Sequence, residues 1–140
     1  MILTVSGWRG WTDRNFVHRQ LRGYLQMYGP SLHVRVGDAT GVDEITRSWL
    51  AWELEGVHVD HTVYYADWAK YGRQVAGPIR NGKMLRGQDP ADLDPDVNAD
   101  VLLAMPQPGV KMRSPGSGTV GCILDAHLLG INIDIPGYPT

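Results

Sequence analysis

The residues with the clearest chemical potential are gathered in short glycine-rich segments. Ser6-Gly7-Trp8-Arg9-Gly10 places a planar guanidinium between two glycines, where the backbone turns sharply and Arg9 offers paired donors to a phosphate or carboxylate. Gly37-Asp38-Ala39-Thr40-Gly41-Val42-Asp43 is built from small residues that bring backbone N–H groups and a helix start towards one point, an arrangement that favours an anion. Asp38, Asp43 and Glu44 would repel that anion if aimed at it. At least one of them is therefore expected to face a ribose hydroxyl instead, or to cap the helix. The spacing is neither a Walker motif nor GxGxxG.

A third segment, Ser114-Pro115-Gly116-Ser117-Gly118-Thr119, repeats the design, with hydroxyls and free N–H groups at a helix start. In Ala76-Gly77-Pro78-Ile79-Arg80-Asn81 the spacing predicts Arg80 and Asn81 in the first turn of a helix. Arginine opposes the helix dipole there, so a binding site is a better reason for it than local preference. The histidines His18, His33, His58, His61 and His127 show no metal-ligand spacing, and no metal site or cofactor is expected. Cys122 reads as a buried structural thiol. Trp49 and Trp52 read as core or subunit contact, while Trp8 and Trp68 fall in loops and could stack on a base.

These segments need a scaffold, and the chain supplies it in alternating units. Apolar runs over 1–5, 32–36, 57–64, 100–105 and 131–135 read as strands. Helices are predicted from an Asp13 cap to Gly29-Pro30, over 42–54, from about Ile79 to Leu85 behind Pro78, and over 117–129. The Asp- and Pro-rich segment 88–98 reads as an exposed connection. Alternation of this kind implies an α/β fold, a three-layer Rossmann-like sandwich with a mainly parallel five-stranded sheet. Ligands of such sheets sit beyond the carboxyl ends of the strands, where strand order reverses.

The 140 residues match a single domain, residues 1–140, and 43% hydrophobic content suffices for one core. A formal net charge of -2 gives no basic field for nucleic acid. One cysteine excludes an intrachain disulfide and fits a reducing compartment; with no signal peptide and no membrane-length apolar run, a cytoplasmic protein without membrane association is expected. The tryptophan- and tyrosine-rich helices suit a homo-oligomer face.

Together, SGWRG, GDATGVDEITRSWL, YYADWAKYGRQVAGPIRNGKML and the late SGT resemble the SLOG superfamily, and most of all its small stand-alone YspA-like branch. The resemblance spans nearly the whole chain. It implies a Rossmann-like fold that binds or senses a nucleotide or nucleotide-derived ligand, in bacteria and their phages. It carries Gly7 with Arg9, Gly37 with Asp43, Arg80 with Asn81, and Gly118 with Thr119 over as the ligand site; the loops add Ser6, Asp38, Ala39, Thr40, Gly41 and Ser117. Relatives of the LOG type, which are phosphoribohydrolases, carry PGGxGTxxE with a catalytic Glu, whereas Cys122 holds that position here. Cleavage of a nucleotide N-glycosidic bond is thus an alternative in which Asp43, Glu44 or Asp38 supplies the acid and Arg80 steadies charge. A further alternative, single-strand DNA binding as in the DprA branch, is opposed by the acidic balance.

Overall fold

A computed structural model describes residues 1–54, 56–109 and 118–139. Five strands, β1 (Ile2–Gly7), β2 (His33–Gly37), β3 (Asp60–Tyr64), β4 (Val101–Met105) and β5 (Asn132–Asp134), form one sheet in the order β3-β2-β1-β4-β5. Every pairing is parallel. The first crossovers run outward from β1 to β2 and β3, and the chain then returns to the other side of β1 to lay down β4 and β5. Strand order therefore reverses between β1 and β4, which opens a crevice at their carboxyl ends.

The helices are α1 (Arg14–Tyr28), α2 (Val42–Ser48), α3 (Trp68–Tyr71), α4 (Ala76–Arg86) and α5 (Gly118–Leu128). One layer, α1 and α2, packs on a core that includes Leu3, Val5, Val34, Val36, Leu103 and Met105. Alternate strand residues such as Ile2, Leu102 and Ala104 point the other way, into a second core with Leu85 of α4 and Ile123 of α5. Because helices cover both faces, the central strand β1 is buried without a break from Ile2 to Ser6, the polar Thr4 and Ser6 included, as a doubly covered strand requires. Asp13 caps α1 by accepting the Phe16 N–H at 3.1 Å, as its position predicts. None of the described helices is long and apolar enough to cross a membrane.

Several expectations change in detail. The helix expected over 42–54 is α-helical only to Ser48 and continues as a π-helical turn, Trp49–Glu53. Trp49 is 1% exposed and belongs to the core, whereas Trp52 is 85% exposed. Strand β3 begins at Asp60, the loop after it contains the short α3 capped by Asp67, and β5 is trimmed to Asn132–Asp134. Helix α4 begins at Ala76, so Arg80 lies in its second turn and is not opposed by the first-turn dipole.

The connection over 88–98 is the largest revision. Most of it is exposed, but Asp92 is buried because Arg35, fully buried on β2, needs a counter-charge. Arg35 Nε donates to Asp92 Oδ2 at 2.9 Å, and its Nη atoms donate to the carbonyls of Met84, Asp94 and Val97. Tyr64 donates to the same carboxylate at 2.5 Å, and His33 bridges Thr62 and Asp94. Burial disfavours the Asp92 charge, but the Tyr64 hydroxyl, the Asp94 N–H and Arg35 together hold its pKa below the usual carboxylate value. The network fastens the C-terminal end of α4, and the chain behind it, to the middle of the sheet.

Candidate functional site

The loops after β1 and β2 meet along a backbone seam. Val42 N–H donates to Trp8 O at 3.2 Å, and Thr40 Oγ1 donates to Arg9 O at 3.0 Å. Gly41 has φ of 70°, and a methyl there would lie 2.2 Å from Trp8 O, so only glycine fits. The seam aims Trp8 and Arg9 across the crevice between β1 and β4.

A cavity of about 1140 Å³ occupies that crevice. Ser6, Gly7, Trp8 and Arg9 come from the end of β1, Ala39 and Asp43 from the second loop, Arg80 and Asn81 from α4, and Gly118 and Thr119 from the start of α5. The predicted residues from four separate segments are thus brought together. Gly37, Asp38, Thr40 and Gly41, expected to touch the ligand, do not line the cavity: Asp38 pairs with Arg80, Thr40 and Gly41 form the seam, and Gly37 lies against Asp43 and Arg80. Glu44 is exposed and does not line the cavity. Ser117, with the rest of the expected Ser114–Ser117 loop, lies outside the described residues.

Within the second loop, N–H groups are engaged internally. Ala39 N–H donates to Asp43 Oδ2 at 3.3 Å and Val42 N–H to Trp8 O, while Arg47 Nη1 binds the carbonyls of Gly37 and Ala39 at 2.6 and 3.0 Å. Of the backbone groups expected there to cradle phosphate, these two serve the seam and the loop itself. Asp38 accepts from Arg80 Nη1 at 2.7 Å and from Ala66 N–H at 3.2 Å, while Arg80 Nε and Nη2 donate to Asn81 Oδ1, each at 3.2 Å. Arg80 is 5% exposed and held on several sides. A methyl at Gly37 would lie 2.6 Å from Asp43 Oδ2 and 2.9 Å from Arg80 Nε, so the missing side chain lets the carboxylate and the guanidinium sit side by side.

The cationic wall is larger than the sequence reading assigned. Arg73, in the turn before α4, also lines the cavity, as do Gln74 and Gln107. A methyl at Gly77 would lie 3.4 Å from Arg9 Nη2 and 4.0 Å from Arg80 Nη2, so both guanidinium groups converge on the first turn of α4. There Ala76 and Ile79 donate to Gly72 and Val75, and Pro78 has no N–H, which leaves the Gly77 N–H without a backbone acceptor among the described residues. Arg9 stacks over the Trp68 ring at 5.6 Å. Neither Arg9 nor Arg73 forms an ion pair among the described residues. The signal for Arg73 was its place just ahead of a Gly-Pro helix start; nothing local marked Gln107, which reaches the cavity from the far side of the crevice.

Two groups on the floor have shifted acidity. Burial pushes the Asp43 carboxyl up to about 6, against the pull of Arg80, the Ala39 N–H and Arg47. Burial likewise pushes the Cys122 thiol up to about 12, against the lowering pull of Ser6, so the thiol holds its proton at neutral pH.

No family model matches the chain, and no solved structure matches it. It is 33% identical over 131 residues to the Gene 61 protein of Mycobacterium phage D29, an alignment that covers 92% of this chain and 90% of that one. At that identity and coverage the chain belongs to the family of that phage protein.

Proposed function

We propose that the protein binds a nucleotide or nucleotide-derived ligand through its phosphate, as a member of the SLOG type that its motifs resemble. The observation that carries this is the convergence of Arg9 and Arg80 on the first turn of α4, with Arg73 lining the same cavity, at the switch point of a parallel sheet. Arg9 and Arg73 have no carboxylate partner among the described residues, so their charge is available to an anion. Trp8, 37% exposed on the cavity wall, offers a face to a base, and the volume accommodates a nucleotide.

Calorimetric titration with nucleoside monophosphates, nucleoside diphosphates and ADP-ribose tests the reading. At least one is expected to bind, and Arg9→Ala and Arg73→Ala are each expected to weaken it about 10-fold, in line with loss of one charge-assisted contact. Both side chains lack an ion pair in the free protein, so melting temperatures should stay within about 2 °C of wild type. Absence of binding by every phosphorylated compound ends the proposal.

A second reading, hydrolysis of a nucleotide N-glycosidic bond, draws on one observation: Asp43 combines burial at the cavity floor, a pKa moved up to about 6 and an adjacent arginine. Chromatography for released base from the same compounds decides it. No product at high protein concentration would leave binding alone.

A further inference from the structure

The three carboxylates of the second loop have distinct situations. Asp38 is committed to Arg80 and to the Ala66 N–H. Glu44 is exposed and away from the cavity. Asp43 is 3% exposed, lines the cavity, and accepts only the 3.3 Å bond from Ala39 N–H at Oδ2; Oδ1 accepts none among the described residues. The neighbouring Arg80 directs Nε and Nη2 to Asn81 rather than to Asp43. An ionised carboxylate has room for about four hydrogen bonds, and Oδ1 is not sealed into the core without a partner, so its lone pairs open onto the cavity. The spare capacity of Asp43 therefore faces the cavity, where a donor on a bound ligand can take the place of solvent.

The charge around it limits what that donor is. A phosphate dianion carries no proton and is repelled by the carboxylate. A ligand cation is repelled by Arg9, Arg73 and Arg80 on the same cavity. A neutral hydroxyl satisfies the carboxylate without either conflict. The groups beside it also suit a polyol: Ser6 and Thr119 are each 5% exposed on the same wall, and Asn81 Nδ2 reaches Gly118 O at only 3.4 Å, a bond weak enough to exchange.

From this we infer that Asp43 reads a sugar hydroxyl of the ligand and makes the site selective for ribose over deoxyribose. The inference rests on the phosphate-binding reading above. It places the anion at the arginine end of the cavity and the sugar against the Asp43 end.

The test compares the four ribonucleoside 5′-monophosphates with their 2′-deoxy and 3′-deoxy counterparts and with inorganic phosphate, by calorimetry on the full chain. The best ribonucleotide is expected to bind about 10- to 100-fold more tightly than one of its deoxy counterparts, the range for one hydrogen bond to a charged group. In Asp43→Asn, which keeps an acceptor for Ala39, that ratio should shrink to within about threefold while inorganic phosphate binds at least as well as before. The ratio in the wild type needs no variant and holds even if Asp43→Asn fails to fold. Equal binding of ribo and deoxy forms, or an unchanged ratio in a folded Asp43→Asn, overturns the role of Asp43 and leaves phosphate binding standing. Failure of every phosphorylated probe overturns both.

Discussion

Replacing Asp43 with asparagine should stabilise the free protein, and by an amount that depends on pH in a defined direction. Desolvation moves the Asp43 carboxyl from 3.8 to about 6 in the folded chain. A shift of that size, at about 1.4 kcal/mol per unit, amounts to about 3 kcal/mol. Well below pH 3.8 the group is protonated in folded and unfolded chains alike, and it carries no penalty. As pH rises from 4 to 6 the unfolded chain releases the proton first, so stability falls; above 6 the whole penalty is in place. Asparagine has no charge to bury, so the advantage of Asp43→Asn over wild type should grow by about 2 kcal/mol between pH 4 and pH 7, the rest having developed below pH 4. Asp92 and Asp13, whose pKa values are lowered, titrate in both proteins and cancel in the difference. Urea unfolding of both proteins at half-unit steps from pH 4 to pH 8 measures it. A difference that stays flat within about 0.5 kcal/mol would show that the carboxylate is not desolvated, and the account of the cavity floor would fail with it.

Other perturbations test the supports. Asp92→Asn leaves the Arg35 guanidinium buried without its counter-charge and should cost about 3–5 kcal/mol in urea unfolding. By contrast, Asp60→Asn removes only the exposed pair with His58 and should change stability by less than about 0.5 kcal/mol. Gly41→Ala forces a side chain to within 2.2 Å of Trp8 O at positive φ, and calorimetric melting should show a loss of at least about 2 kcal/mol together with weakened ligand binding. Asp13→Ala removes the α1 cap and the acceptor of the Tyr138 hydroxyl, for a loss of about 1 kcal/mol by the same melting measurement.

The architecture was legible because it depends on local signals: apolar runs doubly covered by helices, glycine turns behind them, and Asp13 ahead of a periodic helix. The candidate site was legible where its residues sit at a strand end or in the glycine turn and helix start behind one, as Ser6, Arg9 and Asp43 do. What depends on a distant partner was not. Asp92 stands in a polar, proline-bounded stretch that reads as solvent-exposed, and only the buried Arg35 on another element explains its position. The second loop reads as a phosphate cradle in isolation, yet its Val42 N–H goes to Trp8 O, a carbonyl that no window around residue 40 contains. Arg80 looked misplaced at a helix start because the true start, Ala76, follows the Gly72 turn rather than the proline.

The seam between Trp8–Arg9 and Thr40–Val42 makes two stretches more than thirty residues apart into a single mechanical part. Neither can be rebuilt alone, since a change of length or a side chain in one must be answered by the other. Chains descended from the same ancestor are then expected to inherit these two loops as a matched set, and a chimera that takes only one of them from the D29 protein should refold less readily than a chimera that takes both.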